Sequence, residues 1–260
     1  MEQLAKNGSA PELTIDGAVA TIRLCRPAHA NRIEVGDVGV LAGHFAALRM
    51  RHEQVRALVI TAGGKHFSAG FDLGVFASGP DEAASDAFAA MIDLLEDLPQ
   101  VTVCALNGGV FGGATDLALA CDFRIGVPGS RMFMPAARFG LHYYASGLHR
   151  YLARLGLNTS KRLFLLAEEL NAAEMLKVGY LTEIAPAEFL QEHAYALATK
   201  AAAMAPLASS GMKAALNAMA AGRYDPVEGA GVYRMCMRSA DLREGVAAAQ
   251  EKRTPLFEMR

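Results

Sequence analysis

The first half of the chain alternates between the hydrophobic period of strands and that of helices. Apolar and polar residues alternate through LTIDGAVATIRL, with Asp16-Gly17 between two runs, which predicts an antiparallel hairpin. Helical spacing follows over about residues 37–51, and RALVITAGG is then a short apolar run that ends in glycines. The order recurs in DEAASDAFAAMIDLLEDL, which stops before Pro99, and in VTVCALNGG. Such alternation predicts an α/β protein with parallel strands and helices outside them.

The pattern of the second half is mostly helical. No strand pattern follows residue 200, and Pro206 and the stretch GRYDP separate the last helices from one another. We therefore divide the chain into a core, residues 1–200, and a helical C-terminal region, residues 201–260. The helices predicted after CDFRIGV lie at about 146–155, 159–168, 172–178, 188–203, 207–220 and 241–252.

Composition narrows the class of protein. Of the 260 residues, 52% are hydrophobic, and 25 basic against 27 acidic residues give a net charge of -2, so we expect no nucleic-acid partner. No apolar run approaches the roughly eighteen residues of a membrane span, so we expect no membrane partner. The histidine spacing matches no zinc motif, and we expect no metal site. Reduced thiols and a cytoplasmic location are expected because four cysteines lie far apart without a CxxC pair, at Cys25, Cys104, Cys121 and Cys236.

Two glycine-containing segments share one plan, in which a strand leads through a glycine turn to a helix start with an acid inside it. They are KHFSAGFDL, residues 65–73, and NGGVFGGATDLALACD, residues 107–122. Backbone N–H groups at a helix start lack intrahelical partners and can bind an anion or a developing oxyanion. The alternative is that these glycines only serve tight turns and close helix packing. Neither segment matches GxGxxG or GxxxxGK[ST], which argues against a dinucleotide or phosphate loop.

Four segments in consistent order, from about residue 13 to 257, resemble the crotonase family, also called the enoyl-CoA hydratase/isomerase superfamily. IRLCRPAHANRIE resembles its L-N-R-P segment, and the glycine segments are similar to its F-x-A-G-x-D-[LI] and N-G-x-x-x-G-G-G-x-E-L-x-x-x-C-D motifs. The tail REGVAAAQEKRTPLF resembles the family's ending. The resemblance implies a crotonase-like spiral of ββα units with a helical C-terminal trimerisation region. It also implies an acyl-CoA substrate without a prosthetic group, and a homotrimer or a dimer of trimers.

The resemblance also implies the site residues. The backbone N–H groups of Phe71 and Gly113 correspond to the pair that grips the thioester oxygen and stabilises an enolate in this family. Asp116 stands where the family has its first catalytic glutamate, and Tyr143 is a candidate polar group that steers a carboxylate. The residues expected to contact the CoA ester are Arg26, Ala28, Ala69, Phe71, Asp72, Leu73, Gly112 and Gly113.

The sequence departs from the family pattern at the acid pair. Hydration needs two positioned carboxyl groups, and the second glutamate of the family's P-E-x-x-x-G segment is replaced by Ala136 in PAARFG. We therefore expect weak hydration and decarboxylase- or other lyase-type chemistry. The stretch LHYYASGLHR is similar to methylmalonyl-CoA decarboxylase, a member that also lacks the second glutamate and has a tyrosine at the position of Tyr143. Two alternatives stay open: Tyr143 and Tyr144 are only half-buried pocket or trimer-interface residues, or the chain is a non-catalytic acyl-CoA binding protein.

Overall fold

Two β-sheets form the frame of the molecule, in a computed structural model that describes residues 8–76, 79 and 81–259. The larger sheet has the order β1-β2-β3-β5-β7-β10, and the smaller has the order β4-β6-β8-β9. The strands are β1 (Ser9–Asp16), β2 (Val19–Cys25), β3 (Ala57–Ala62), β4 (His66–Ser68), β5 (Val101–Leu106), β6 (Gly109–Phe111), β7 (Phe123–Gly126), β8 (Arg131–Phe133), β9 (Leu170–Asn171) and β10 (Glu183–Ile184).

The larger sheet has the topology that the sequence predicts. Strands β1 and β2 form the antiparallel hairpin, with Asp16 opposite Val19, and every later strand of this sheet pairs in parallel. The hairpin and the parallel strands are therefore confirmed. The smaller sheet was not predicted, because its strands are only two or three residues long and cannot show a clear period of two.

The helices begin and end close to their predicted bounds, with one addition. The two helices predicted at 146–155 and 159–168 lie within Ala145–Leu166 and are separated at Gly156, whose φ of 76° and ψ of 165° are not helical. The stretch GRYDP separates two helices as predicted, but the second of them, Pro226–Arg238, was not predicted. Pro226 occupies its first turn, where the missing N–H costs no bond, and Asp225 caps it. The helices are α1 (Val35–Arg49), α2 (Glu82–Glu96), α3 (Gly113–Ala120), α4 (Ala145–Leu166), α5 (Ala172–Lys177), α6 (Leu190–Ala202), α7 (Pro206–Ala220), α8 (Pro226–Arg238) and α9 (Ala240–Glu251).

Helices cover both faces of the larger sheet, and strand β3 is buried along its whole length. Leu58 and Ile60 pack in the core cluster that contains residues of α1 and α2, whereas Val59 packs in a second cluster with α6. Such two-sided burial explains the continuous apolar runs of these strands. The loops that follow β3 and β5 therefore leave the sheet at the same edge, and each leads into a strand of the smaller sheet.

Helix α7 is fastened to the core by a half-buried ion pair. Lys213 Nζ lies 2.7 Å from Asp122 Oδ2 and donates to the carbonyl oxygen of Gln100 at 2.8 Å. The division at residue 200 stays a prediction. Within the ranges described, no helix combines the length and the apolar character needed to cross a bilayer.

Candidate active site

The two glycine segments meet backbone to backbone. Gly70 has a φ of 95°, and a Cβ atom placed on it would lie 2.5 Å from the carbonyl oxygen of Phe111 and 3.1 Å from the nitrogen of Gly113. Gly112 has a φ of 52° and caps helix α3. Gly70 is therefore required both by its conformation and by the closeness of the second loop.

The backbones of Phe71 and Gly113 lie close together, because a Cβ atom placed on Gly113 would lie 3.5 Å from the Cβ atom of Phe71. Their role as an oxyanion hole stays a prediction. Gly113 is the first residue of α3, so its N–H has no acceptor within the helix. Ile33 binds the groups on either side of Phe71: its N–H donates to Gly70 at 2.9 Å, and its carbonyl accepts from Asp72 at 3.0 Å. The N–H of Phe71 therefore points away from Ile33.

A cavity of about 210 Å³ opens beside these two loops, and its wall is predominantly apolar and aromatic. Phe71 and Phe88 lie with their ring centroids 4.9 Å apart, and Phe111 and Phe133 with theirs 5.5 Å apart. Six of the residues predicted from the sequence line this cavity: Ala69, Phe71, Leu73, Gly112, Gly113 and Tyr143.

Three of the residues predicted to contact the CoA ester lie outside the cavity wall. Arg26 donates to both carboxylate oxygens of Asp37 at 3.0 Å, and this bond raises the pKa of the guanidinium. Ala28 is exposed in a short helical turn. Asp72 Oδ1 accepts the N–H of Gly74 at 2.9 Å. Contacts between these residues and CoA stay predictions.

Asp116, the candidate first acid, is completely buried and is not among the residues that line the cavity. Both of its carboxylate oxygens accept from Arg150 Nη1 at 2.8 Å, and Oδ2 also accepts a short hydrogen bond from the Tyr144 hydroxyl. Burial raises the pKa of Asp116, although the Arg150 charge and the Tyr144 bond oppose this effect. A hydrogen bond from Tyr144, which lines the cavity, therefore connects this buried carboxylate to the cavity wall.

Arg150 also binds the acids of helix α2. Its Nη2 lies 2.7 Å from Asp93 Oδ1 and 3.0 Å from Glu96 Oε2, and Glu96 also binds Arg154 at 3.1 Å. Burial alone would lower the pKa of Arg150, but Asp116 and Glu96 raise it above its ordinary value. Burial would raise the pKa of Glu96, but Arg150 and Arg154 lower it below its ordinary value. These groups form a charged cluster behind the cavity wall.

Two tyrosines stand between Asp116 and the cavity. Tyr143 and Tyr144 stack with ring centroids 4.3 Å apart, and the Tyr143 hydroxyl donates to that of Tyr144 at 3.2 Å. Burial and the nearby Asp116 carboxylate raise the pKa of both phenols, which keeps them protonated. Both tyrosines line the cavity. The wall thus presents neutral hydroxyl groups where Asp116 would otherwise present a charge.

Ala136 lies in the cavity wall, buried in the helical turn Ala136–Phe139. Its methyl group supplies no proton donor or acceptor. No aspartate or glutamate stands among the described residues that line the cavity, and the titratable side chains there are His142, Tyr143 and Tyr144.

From the sequence, Tyr144 was named only as a pocket or interface residue, and Arg150 was not singled out. The two consecutive tyrosines are evident in the sequence. Nothing in their order along the chain indicates that Tyr144, rather than Tyr143, binds Asp116. Arg150 lies 34 residues from Asp116, and the pairing depends on how α4 packs on α3. Phe88 lies on the apolar face of α2, and the sequence pattern does not distinguish a core position from one in a cavity wall.

Comparison with known proteins agrees with this architecture. Residues 14–260 match the family model described as enoyl-CoA hydratase/isomerase. The chain belongs to this family. The carnitinyl-CoA dehydratase of Salmonella enteritidis is 31% identical over 261 residues, which cover 95% of this chain and 98% of that protein. The recognition of the crotonase family from its four segments is thus confirmed.

Solved structures of this family share the crotonase fold over nearly the whole chain. Enoyl-CoA hydratase from Bacillus anthracis superposes with a TM-score of 0.88 at 26% identity, covering 97% of this chain and 100% of that one. Pseudomonas aeruginosa DspI superposes with a TM-score of 0.87 at 30% identity, covering 95% of this chain and 96% of that one. The fold class predicted from the sequence is therefore confirmed, and the chain is a crotonase-family enzyme.

Proposed function

We propose that this enzyme is a lyase that binds a malonyl-type CoA thioester, removes CO2 from it, and stabilises the resulting enolate between the N–H groups of Phe71 and Gly113. The observation that carries this proposal is the chemistry of the cavity wall. Ala136 replaces the second glutamate, and Asp116 is bound by Arg150 and Tyr144. A carboxylate base that could remove a proton from the substrate is thus missing from the described wall.

Decarboxylation fits such a wall because it makes an enolate without a base. The bond from the α-carbon to the carboxylate carbon breaks, CO2 leaves, and the electron pair moves through the α-carbon to the thioester oxygen. Two backbone donors then stabilise the negative oxygen, and the α-carbon takes up a proton from solvent. One such donor typically contributes about 2.7–4 kcal/mol to catalysis. An apolar wall favours the step further, because it removes water from the reacting carboxylate.

The proposal gives Tyr143 a positioning role toward the substrate carboxylate. Its ring lies in the wall, and its hydroxyl, which donates to Tyr144, can turn to donate to a carboxylate. CoA enters as part of the substrate, so the reaction needs no prosthetic group. The dehydratase named among the relatives is also a lyase, which supports this reaction class over isomerisation.

A substrate panel tests the proposal. Purified protein is incubated separately with malonyl-CoA, methylmalonyl-CoA, crotonyl-CoA and 3-hydroxybutyryl-CoA. The thioesters are then separated by chromatography and identified by mass spectrometry. We expect acetyl-CoA or propionyl-CoA from the first two, and little hydration of crotonyl-CoA. Efficient hydration, with kcat/KM above about 10⁴ per molar per second, would overturn the assignment.

Tyr143→Phe separates chemistry from binding. We expect it to lower decarboxylation by about a hundredfold, the scale on which positioned groups act, with the affinity for acetyl-CoA unchanged. Tyr195→Phe is the matched control, because Tyr195 bonds Thr21 far from the cavity wall. Tight acetyl-CoA binding with no turnover of any thioester would instead support the non-catalytic binding protein.

A further inference from the structure

Arg150 is the common partner of three acidic side chains from two helices. Its side chain is completely buried, as is that of Asp116, its partner on α3. Its other terminal nitrogen binds Asp93 and Glu96 on α2. Since Arg150 itself lies on α4, one guanidinium joins α2, α3 and α4.

Each of these three helices also supplies a part of the cavity. Helix α2 carries Phe88, helix α3 begins with Gly113, and Tyr143 and Tyr144 immediately precede helix α4. A displacement of Arg150 would therefore displace the aromatic wall at Phe88, the backbone donor of Gly113 and the tyrosine pair. No atom of Arg150 belongs to the cavity wall itself.

The orientation of the tyrosines depends on the charge state of Asp116. Tyr144 donates to Asp116, which leaves its oxygen to accept from Tyr143 at 3.2 Å. An ionised carboxylate only accepts hydrogen bonds, whereas a protonated one also donates. If Asp116 took up a proton, its own hydroxyl could donate to Tyr144. The hydrogen bonds from Tyr143 to Tyr144 and from Tyr144 to Asp116 would then no longer have one fixed donor and acceptor each.

We propose that Arg150 is a positioning residue for the reaction: it holds Asp116 as an ionised acceptor for Tyr144, and so fixes the Tyr143–Tyr144 pair against the substrate without touching it. The assisted step rests on the proposed function, whereas the effect on the tyrosines does not. Without the Arg150 charge, the effect of burial on the pKa of Asp116 is opposed less, and the carboxyl group takes up a proton at a higher pH. Titratable and charged groups surround Asp116 on all sides: Arg150, Arg154, Glu96, Asp93, Tyr143, Tyr144, Tyr151 and Tyr180.

The chain offers an optical signal for this arrangement that does not require turnover. It has seven tyrosines and no tryptophan, so tyrosines dominate its near-ultraviolet circular dichroism. Tyr143, Tyr144 and Tyr151 belong to one packed group, with Tyr143 and Tyr151 ring centroids 6.5 Å apart. Loss of the fixed tyrosine pair should therefore weaken this band while the far-ultraviolet helix signal stays.

The test compares Arg150→Gln, Arg150→Lys, Asp116→Asn and the double variant Arg150→Gln/Asp116→Asn. Arg162→Gln is the matched control, because Arg162 lies on the same helix in an exposed ion pair with Glu168. Tm, near-ultraviolet circular dichroism, kcat and KM for methylmalonyl-CoA are measured against pH.

We expect Arg150→Gln to lower kcat by about a hundredfold with little change in KM, and to weaken the tyrosine band. Its kcat should also fall as the pH is lowered over a range in which the wild type stays level, because Asp116 becomes protonated there. Arg150→Lys keeps the charge and should restore part of kcat. The double variant removes both buried charges, so it should recover Tm but not kcat or the tyrosine band.

Recovery of kcat together with Tm in the double variant would show that Arg150 only holds the helices together. An unchanged tyrosine band and pH profile in Arg150→Gln would also overturn the inference. If the wild type turns over no thioester, the proposed function fails, and the tyrosine band of Arg150→Gln still decides the positioning role.

Discussion

Replacing Gly70 with alanine tests the contact between the two glycine segments. The new methyl group would lie 2.5 Å from the carbonyl oxygen of Phe111 and 3.1 Å from the nitrogen of Gly113, and both are backbone atoms that no side-chain rotation can move. The two loops must separate or one must refold. Because Phe71 follows Gly70 directly, this separation would pull apart the two proposed oxyanion donors.

The expected magnitude has two parts. Overpacking costs about 1–3 kcal/mol, and a non-glycine residue at a φ of 95° adds strain of about 1–3 kcal/mol, so we expect Tm to fall. In the fraction that stays folded, the loss of one donor to the enolate oxygen should lower kcat by about 10² to 10³. Two separate losses, in stability and in turnover, are therefore expected.

The assay combines thermal unfolding, acetyl-CoA binding and turnover of methylmalonyl-CoA at a temperature where the variant is folded. Gly43→Ala is the matched control, because Gly43 is exposed in the middle of α1 and a Cβ atom there would meet nothing within 4 Å. Better helix propensity should make that control more stable by about 0.5–1 kcal/mol. Wild-type Tm and turnover in Gly70→Ala would refute the close apposition of the two loops.

Three further predictions follow from the same geometry. Ala136→Glu should raise the weak hydration of crotonyl-CoA, measured as loss of enoyl thioester absorbance, because it returns a carboxyl group to the wall; no change would place the missing acid elsewhere. The folded-state pKa of Asp116 lies above its ordinary value of 3.8, so Asp116 favours folding below that pH, and the benefit is lost as pH rises through the folded-state value. The unfolding free energy of the wild type relative to Asp116→Asn should therefore fall with rising pH in urea titrations, and a rise would contradict the shift. A homotrimer or a dimer of trimers is expected because α7 and α8 expose Met212, Leu216, Met219, Val227 and Tyr233, and light scattering at the mass of one 27.6 kDa chain would refute it.

Much of the fold was readable from the sequence because its large elements have long and regular patterns. The hairpin around Asp16-Gly17 and the buried strand RALVITAGG each carry a local signal that survives in the structure. The interruption at Gly156 was placed correctly between two helical runs. Strands of two or three residues in the smaller sheet carry no such signal and are formed by their neighbours.

The candidate site was only partly readable, and the reason is physical. The glycine loops show their role locally, since backbone exposure needs glycine in the chain itself. The partner of a buried carboxylate is chosen by tertiary packing, so Arg150 and Tyr144 could not be assigned to Asp116 from spacing alone. A family motif identifies the acid, but not whether that acid is free or bound.

On the proposed function, Ala136 in the wall and the ion pair between Asp116 and Arg150 have one electrostatic explanation. A malonyl-type substrate brings its own carboxylate, and a second charge about 4 Å away would oppose it by about 4 kcal/mol at an effective dielectric constant of about 20. Ala136 removes one such charge from the wall, and Arg150 compensates the other at Asp116. Both features are needed, because one uncompensated carboxylate near the substrate carboxylate already disfavours binding. A hydratase has no such conflict, since its enoyl substrate is uncharged at the reacting end and benefits from both acids.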